Sequence, residues 1–440
     1  MREMRTTPPR PGEPLRVRIR PLRRLAQVPN ISKRALSLPG ALGRGGLSSA
    51  RFRPVLIALP AVYALIRGAD QAYLVRGRLL DPDVLTFQNL AAEMTPQSIF
   101  GGVREPLWPL LFVVPVRMLG ANSEIAIRLI GVLGFVFMIV AFQLVVRELF
   151  GRAWSIVAAL LLASSPWLIY QAARGLREET SAGLVLMFCL GLMRRPVTGH
   201  RVVLLFGLAG LTGLLRWDAM MVMLPVLALA MIILRPPPIA WTAGPALLAL
   251  LVAPLLIGNY VQHGDALYGS NILAKFFRNL EFHDQPGFVT SAEMATDSYA
   301  GPPITWTQYV FGLHSLGELF SRALHASRGV PIESTMLALF YPHLGSRPLL
   351  VVDLHTLEML AAWLLWFPAV IGGISLLRTR AWPIPLMLGG TILAYSPIAE
   401  LIDYRLVLVV IPLLAVCVIQ CIRLATTYWR PAIRLVLRRT

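Results

Sequence analysis

The apolar positions of this chain form long, nearly continuous runs separated by short polar connections. Several runs are shorter than the ~20 residues that a helix perpendicular to a bilayer needs, so their exact ends stay open. The first run is short as well, but Arg53 and Arg67 can extend their charged ends from it towards water. The pattern predicts an all-α integral membrane protein with about ten transmembrane helices. The runs lie at 51–68, 125–146, 153–172, 180–193, 202–215, 219–234, 241–260, 357–377, 383–399 and 405–424.

Two segments after the first run are apolar but poorly suited to crossing. Residues 84–94 place apolar side chains at helical spacing beside polar ones. Residues 106–120 (PLWPLLFVVPVRMLG) are interrupted by Pro106, Pro109 and Pro115, which favours an interfacial or re-entrant helix. We therefore expect interfacial helices over about 81–120, within the first external loop.

The arginines indicate the topology. If 106–120 does not cross, the side that holds the N-terminal segment collects most of the 41 Lys and Arg residues. It also holds only Glu3, Glu13 and Glu148 of the 23 acidic residues. The positive-inside rule makes this side cytoplasmic, so we expect both termini in the cytoplasm and nearly all acids outside. Arginine is used almost to the exclusion of lysine, which is compatible with a GC-rich bacterial genome and with a bacterial inner membrane.

Composition supports the membrane assignment and removes other classes. The chain is 56% hydrophobic and 15% charged, whereas soluble domains are about 45–50% apolar and about 25% charged. A net charge of +18 would suggest a nucleic-acid partner in a soluble protein. Here much of the excess lies in two tails that suit anionic lipid headgroups, so we expect membrane lipids and no nucleic acid as partners. The three cysteines lie in apolar runs and form neither a disulfide framework nor a CxxC motif.

These features divide the chain into five segments. The external loop contains six of the seven histidines, without HxH or HxxxH spacing for zinc, and aromatic residues near helical spacing around 306–311. We expect it to form a partly helical cap that shapes the choice of acceptor. The segments are a basic, Pro/Arg-rich cytoplasmic arm expected to be disordered (1–52), an N-terminal transmembrane catalytic module with seven spans (53–262), the external loop (263–355), three further spans (356–424) and a basic cytoplasmic tail (425–440).

Acids and arginines occur together at four connections on the predicted external side. Solvation, an isolated ion pair or helix capping explains any one of them, because helix N-termini favour carboxylates. All four on one face predict a shared polar cavity that holds an anion and activates a nucleophile. The groups are Asp81, Asp83, Arg104 and Glu105; Arg174, Arg177, Glu178 and Glu179; Arg216 and Asp218; and Glu400, Asp403, Tyr404 and Arg405.

Such a cavity suits the transfer of a group from a lipid phosphate. An arginine binds the phosphate and stabilises it as the leaving group, because the guanidinium fork matches phosphate oxygens. One carboxylate removes the proton of the acceptor hydroxyl, and a second orients the acceptor or holds a metal. The sequence contains no GxxxxGK[ST], HExxH or GxSxG motif, and no GxGxxG after a strand. This fits an external face, where no nucleotide is available.

Seven segments follow one another in a fairly specific order over roughly residues 55–425. They are DPDVLTFQNLA, REPLWPLLFVVPVRMLG, SEIAIRLIGVLGFVFMIVAFQLVVRELFGR, SSPWLIYQAARGLREE, GLLRWDAMMVMLP, HGDALYGSN and DYRLVLVVIPLLAV. Their order resembles the multi-spanning C-type glycosyltransferases. Within that superfamily it is similar to the branch of the dolichyl-phosphate-mannose protein mannosyltransferases and aminoarabinose transferases.

The resemblance implies transfer of a sugar from a polyprenyl-phosphate donor to a lipid, glycan or protein acceptor, with inversion through one displacement. Asp83 matches the catalytic acid of the first loop, with Asp81 as the alternative, and Glu178 or Glu179 matches a second acid. Arg405 matches a phosphate-binding arginine. Further candidates are Arg177, Arg216 and Tyr404 for the donor phosphate, and Arg104, Glu105, Asp218 and Asp403 for other substrate contacts.

A divalent cation is left open by the resemblance. Members of the family often carry an acidic pair where this chain has Asp83 and Val84. Asp81 would then supply the second charge, and Mg²⁺ or Mn²⁺, if used, would be held by Asp83 and Glu178.

The alternative function is that of a multi-spanning transporter or a lipid-linked sugar flippase without catalysis. That class predicts charges buried in mid-span and broken helices in two matching halves. In this chain the charges lie at the ends of the runs, with Arg128 among the few placed deeper, and no halves match. The pattern favours the transferase.

Overall fold

All regular structure in the described part of the chain is helical, which confirms the all-α prediction. The computed structural model describes residues 52–78, 80–95, 104–327, 354–397 and 406–437. The chain divides into two units, Met1–Arg53 and Pro54–Thr440, and the description below concerns the second. The predictions for the N-terminal arm and for Glu400, Asp403, Tyr404 and Arg405 lie outside the described residues.

Sixteen helices occur in the described residues, and several of them begin at a proline. Proline suits the first helical position, because it needs no amide hydrogen there and its φ is already helical. The helices are α1 (Phe52–Leu74), α2 (Pro82–Glu93), α3 (Leu107–Leu119), α4 (Glu124–Phe150), α5 (Arg152–Ala163), α6 (Pro166–Ala173), α7 (Glu178–Met193), α8 (Gly199–Leu215), α9 (Trp217–Leu234), α10 (Pro238–His263), α11 (Tyr268–Phe282), α12 (Ser291–Thr296), α13 (316–327), α14 (Leu354–Leu377), α15 (Pro383–Tyr395) and α16 (Val410–Leu437).

Three pairs of long helices run parallel to each other. In α4 and α7, Gly134 adjoins Thr180, and farther along Glu148 pairs with Arg194. The pairs α8 with α10 and α14 with α16 show the same order of contacts. Since consecutive parallel helices require the chain to return between them, α5 with α6, α9 and α15 run in the opposite direction.

Glycine residues allow some helices to approach each other closely. A Cβ atom on Gly131 of α4 would overlap the carbonyl oxygen of Ala172 and lie 2.8 Å from the Cα of Gly175. At Gly183 of α7 a Cβ would lie 2.5 Å from the ring of Phe137. Glycine is therefore needed where α4 meets the end of α6 and the start of α7.

The two ends of the bundle differ in their charged residues. At one end α1 finishes beside the start of α4, where the amide of Gly77 donates to Glu124 at 3.1 Å. We call this the carboxylate end, defined by Glu105, Glu124, Glu178 and Asp218. At the other end Glu148 lies 3.8 Å from Arg194 and 3.1 Å from Arg380. We call that the arginine end, defined by Glu148, Arg194, Arg380 and Arg423.

Helices α2 and α3 pack on each other at the carboxylate end. Their apolar sides form one cluster with the start of α4 and the ends of the neighbouring connections, and its members are Val84, Phe87, Ala91, Trp108, Phe112, Val116, Ile127, Leu176 and Leu215. The indole nitrogen of Trp108 donates to the carbonyl oxygen of Gly175 at 3.1 Å. This packing fixes both helices beside the connection between α6 and α7.

Length and apolar composition identify fewer than ten spans in the described residues. Five segments suffice on their own: Pro54–Leu74, Glu124–Phe150, Trp217–Leu234, Pro238–His263 and Val410–Tyr428. The predicted single helix over 153–172 is a pair, α5 and α6, bent by 63°, and together they would make a sixth span. The bend follows from Ser165, which caps α6, and Pro166, which begins it. The shorter apolar segments are Leu107–Leu119, Gly199–Leu215, Pro383–Tyr395 and the part of α14 over Trp363–Leu377.

Candidate active site

Asp81 caps the start of α2. Its carboxylate accepts a hydrogen bond from the amide of Asp83 at 3.0 Å and forms an ion pair with Arg174. Only 5% of its side chain is exposed. Because it holds the first turn of α2 against the connection after α6, Asp81 has a structural role in this arrangement.

Asp83 lies in the first turn of the same helix and is more open. Arg104, just before α3, donates from Nη2 to Oδ1 of Asp83 at 2.9 Å. The Asp83 side chain is 31% exposed. Of the two acids at the start of α2, Asp83 is the more exposed.

The ring of Phe87 orients two arginines, one helical turn after Asp83. The guanidinium groups of Arg104 and Arg177 lie 6.0 Å and 5.1 Å from the ring centroid. A cation over an aromatic face is attracted to it, and the attraction grows when water is excluded. Phe87 thus links the arginine that contacts Asp83 with the arginine that precedes α7.

Glu105 and Arg177 connect this loop to the turn between α8 and α9. Arg177 donates to Oε2 of Glu105 at 2.6 Å and to the carbonyl oxygen of Leu215 at 2.7 Å. The other oxygen of Glu105 accepts from the amide of Trp217 at 3.3 Å. Three connections that are far apart in sequence therefore meet at one point.

Arg216 forms the most buried part of the group, with 3% of its side chain exposed. Its Nε and Nη2 atoms donate to the two carboxylate oxygens of Asp218 at 3.0 and 2.5 Å. Its Nη2 also donates to the hydroxyl of Tyr395 at 3.0 Å, and that hydroxyl donates to Asp218. The bidentate geometry fixes the guanidinium plane.

Glu178, the first residue of α7, completes the group. Its Oε1 lies 3.6 Å from Nη1 of Arg216. Within the described residues, Nη1 of Arg216 and Oε2 of Glu178 are buried without a hydrogen-bond partner. Leaving polar atoms unpaired in a buried place is costly, so two atoms with unused hydrogen-bonding capacity lie together here.

Glu179 is placed differently from its neighbour. It is completely buried, and neither of its carboxylate oxygens has a hydrogen-bond partner in the part of the chain that the structure describes. The ion-pair contact with Arg216 belongs to Glu178. The sequence left the choice between these two acids open, and the geometry favours Glu178 as the member of the site.

In the part of this end that the structure describes, the acidic and basic side chains pack on each other. Beside Asp218 and Tyr395, the structure contains a cavity of about 10 Å³, which is room for about one water molecule. The sequence predicted a shared polar cavity. Over the described residues, the acids and arginines of three predicted connections do meet, as a packed cluster of ion pairs. The fourth connection, with Asp403, Tyr404 and Arg405, lies outside them.

The described residues show no set of ligands for a metal ion. No three His, Cys, Asp or Glu side chains in this part of the chain are close enough together to hold one. Asp83 contacts Arg104 and Glu178 contacts Arg216, so the two carboxylates named as metal ligands are directed at different arginines. We derive no step that uses a metal.

Two contributors to the cluster were absent from the predicted site residues. Tyr395 is in the apolar run 383–399, and nothing in its surroundings signals contact with residues 179 and 177 positions earlier. Phe87 is one of the apolar residues of the segment 84–94. The one available signal was its spacing of four residues from Asp83, which places both on one side of a helix.

Comparison with known proteins finds similarity to solved structures. No family model matches the chain, and no curated protein matches it. It is similar to the crystal structure of ArnT from Cupriavidus metallidurans bound to undecaprenyl phosphate, with 15% identity over 80% of this chain and 79% of that chain and a TM-score of 0.38. The apo structure of the same protein gives 14% identity over 79% and 77% and a TM-score of 0.37. The protein in both structures is an aminoarabinose transferase.

Proposed function

We propose that this chain is a membrane glycosyltransferase. It moves a sugar from a polyprenyl-phosphate donor to an acceptor hydroxyl on the external, periplasmic face of a bacterial inner membrane, with inversion at the anomeric carbon. The acceptor is a lipid, a glycan or a protein. No nucleotide and no nucleic acid takes part.

The observation that carries the proposal is a continuous series of contacts from Asp83 to Arg216. Asp83 contacts Arg104, and the next residue, Glu105, contacts both Arg177 and the amide beside Arg216. An accessible carboxylate is thereby held in the same cluster as a deeply buried arginine. These are the two groups that a displacement at a sugar phosphate requires, a base for the acceptor and a cation for the leaving group.

Asp83 is the general base in this proposal. It takes the proton of the acceptor hydroxyl, the acceptor oxygen forms a bond to the anomeric carbon, and the bond from that carbon to the phosphate oxygen breaks. Its exposure and its place in the first turn of α2 support this assignment over Asp81, which is tied to the helix start and to Arg174. Arg104 donates to the Asp83 carboxylate and so orients it.

Arginines stabilise the departing phosphate. A polyprenyl-phosphate sugar is a phosphodiester with one negative charge, and the phosphate gains a second charge as the sugar leaves. A cation at this place therefore stabilises the transition state more than the bound donor. Arg216, whose Nη1 has unused donor capacity, and Arg177 are the described candidates. Arg405 and Tyr404 are proposed for the same role on the sequence resemblance alone.

Glu178 assists by orienting the acceptor or the arginine, and Glu105 and Asp218 keep the arginines in place. Glu178 contacts Arg216 directly, which supports its choice over Glu179. The proposed displacement does not depend on a divalent cation.

The proposed topology has ten crossings. Ten helical segments alternate in direction along the chain, which supports ten crossings although only some are long enough to span a membrane alone. They are α1, α4, α5 with α6, α7, α8, α9, α10, α14, α15 and α16. Both termini and the arginine end would then be cytoplasmic, as the positive-inside rule requires. The carboxylate end, with α2 and α3 at the interface, would face the periplasm.

A panel of labelled donors tests the proposal. The full-length protein, purified in detergent, is incubated with polyprenyl-phosphate sugars that differ in the sugar, including aminoarabinose and mannose, and release of polyprenyl phosphate is followed. One donor should be consumed in the presence of an acceptor, and the new glycosidic bond should have the opposite anomeric configuration. If no donor is consumed while the protein in vesicles moves a labelled lipid between leaflets, the flippase alternative replaces the transferase.

A further inference from the structure

A second cluster of ionisable groups lies in the cap segment, residues 264–327, and has no part in the proposed reaction. Glu281, near the end of α11, accepts a hydrogen bond from the hydroxyl of Tyr309 at 2.6 Å. Its other oxygen lies 3.0 Å from Nε2 of His314 and also pairs with Arg322. We call Glu281, Tyr309, His314 and Arg322 the Glu281 cluster. One carboxylate thus joins three separate segments of the cap.

The histidine of this cluster contacts two acceptors. Its Nδ1 lies 2.9 Å from the carbonyl oxygen of Tyr309, and its Nε2 faces the Glu281 carboxylate. A neutral imidazole has one donor nitrogen and one acceptor nitrogen, so the tautomer decides which of the two contacts the ring donates to. The imidazole and Arg322 face Glu281 from two sides. This is a tight and directional arrangement.

Arg322 extends the cluster out of the cap and onto α15. While Nη2 pairs with Glu281, Nη1 donates to the carbonyl oxygen of Pro397 at 2.6 Å. Pro397 is two residues beyond Tyr395, the last residue of α15. The guanidinium therefore ties the end of a bundle helix to the cap carboxylate.

Tyr395 belongs to both parts of the molecule. Its hydroxyl is held by Arg216 and Asp218. Its ring packs in an apolar cluster with Ala274, Phe277 and Tyr309 of the cap. Tyr309 in turn is the tyrosine whose hydroxyl binds Glu281. The side chain that supports Arg216 is thus held in position by the same cap residues that Glu281 organises.

We propose that Glu281 is a positioning residue for the transferase site: through Arg322 and Tyr309 it fastens the cap to the end of α15 and so keeps Tyr395 against Arg216 and Asp218. This inference rests on the proposed function for its effect on turnover. The docking of the cap on α15 is independent of the reaction. Glu281 touches neither donor nor acceptor in this scheme.

The protonation of Glu281 gives the docking an acid limit. Burial raises the pKa of this carboxyl, but the hydrogen bonds from Arg322, Tyr309 and His314 outweigh burial and lower the pKa below its ordinary value. A depressed carboxyl pKa stabilises the folded arrangement above the ordinary Glu value of about 4.3, and this stabilisation is lost as the pH falls through the lowered pKa. Glu318 also lies near His314, and its pKa is lowered mainly by hydrogen bonds from Ser315.

The test compares Glu281→Gln with Asp284→Asn in the full-length protein. Asp284 is an exposed carboxylate three residues farther along, bonded locally to Ser291, so it is a matched control in the same segment. Hydrogen exchange is measured by mass spectrometry at residues 391–397, and kcat and KM for the donor are measured in parallel. Glu281→Gln should speed exchange at 391–397 about tenfold, because docking of the cap is lost locally and not globally. Asp284→Asn should leave it unchanged.

The kinetic part separates positioning from general loss of structure. Glu281→Gln should lower kcat about tenfold with little change in the KM of the donor. Tyr395→Phe should also lower kcat, and the double variant should be no slower than Tyr395→Phe alone, since both changes act through one contact. Glu281→Asp, which keeps the charge, should recover part of the rate.

The outcomes distinguish this inference from the proposed function. Unchanged exchange at 391–397 in Glu281→Gln overturns the inference, whatever the enzyme does. Faster exchange with full turnover, or additive effects with Tyr395→Phe, overturns the positioning role. Faster exchange in a protein whose wild type releases polyprenyl phosphate from no donor supports the docking and rejects the proposed function.

Discussion

Both the carboxylate end and the arginine end of the bundle pair arginine with a carboxylate, but their arginines differ in exposure. At the carboxylate end the side chain of Arg216 is 3% exposed, and Asp218 holds it by two hydrogen bonds. At the arginine end the side chains of Arg194 and Arg380 are 49% and 48% exposed, and both turn to the single carboxylate of Glu148. Arg216 is thus buried at the carboxylate end, whereas Arg194 and Arg380 are open to water at the arginine end.

The difference indicates what each end does. Exposed ion pairs contribute about 0–1 kcal/mol, because water screens them and the long side chains lose entropy. Buried pairs gain little net stability either, but removing one partner strands a charge without water. Buried pairs therefore fix geometry, which a reaction centre needs. Exposed arginines are available to lipid headgroups, in line with the cytoplasmic location that we propose for this end.

The largest expected effect on stability is at Arg216. Replacing it by methionine leaves the buried Glu178 and the partly exposed Asp218 without their counter-charge, so we expect a loss of about 3–5 kcal/mol. The midpoint of thermal unfolding in detergent measures this change. A variant as stable as the wild type would show that the buried cluster does not hold the bundle end together.

A smaller effect is expected where α4 meets α6. Gly131→Ala places a methyl group against the carbonyl oxygen of Ala172, which should cost about 1–3 kcal/mol through overpacking. Gly389→Ala in α15 is the matched control, because nothing lies within 4 Å of its Cβ position. That change should be neutral or stabilise by about 0.4–1 kcal/mol. Equal unfolding midpoints for the two variants would contradict the close approach.

Asp81 should matter as a helix cap. Asp81→Ala removes the acceptor for the amide of Asp83 and the partner of Arg174, which should cost about 1–2 kcal/mol. Asp81→Asn keeps an acceptor and should cost less. If instead Asp81→Asn stays folded but abolishes turnover, Asp81 is the general base and the assignment of that role to Asp83 is wrong.

The smallest effect is expected at the arginine end. Arg380→Met removes the same side chain as the change at Arg216, but from an exposed pair, so the unfolding midpoint should move by less than the equivalent of about 0.5 kcal/mol. Turnover should be unchanged. A loss as large as that at Arg216 would remove the contrast between the two ends.

Much of the fold could be predicted from the sequence, because a membrane-spanning helix is recognised by the apolar composition of a continuous segment. The all-helical class and the grouping of acids with arginines at connections between runs follow from residues close together in the chain. The bend at Ser165 and Pro166 was also visible locally, as a cap followed by proline, but the apolar run concealed it. Span lengths alone did not give the count of crossings, since α7, α8 and α15 have only 16, 17 and 13 residues.

The partners within the site were beyond what the sequence could predict. The contact of Arg177 with Glu105 joins residues 72 positions apart, and the contact of Tyr395 with Arg216 joins residues 179 positions apart. Such contacts depend on how the helices pack. From the sequence alone, each arginine at the carboxylate end could pair with any of the carboxylates there. The proposed choice of Asp83 over Asp81 likewise needed the exposure of each side chain, and that of Glu178 over Glu179 needed the contact with Arg216.

The most direct measurement is the rate of polyprenyl phosphate release by Asp83→Asn beside Glu148→Gln. These variants remove one carboxylate charge from each end of the bundle. Removing a general base costs about 10²–10⁴-fold in rate, so Asp83→Asn should lose that much kcat with an unchanged unfolding midpoint, and Glu148→Gln should turn over as the wild type does. An Asp83→Asn enzyme as fast as the wild type would contradict the account.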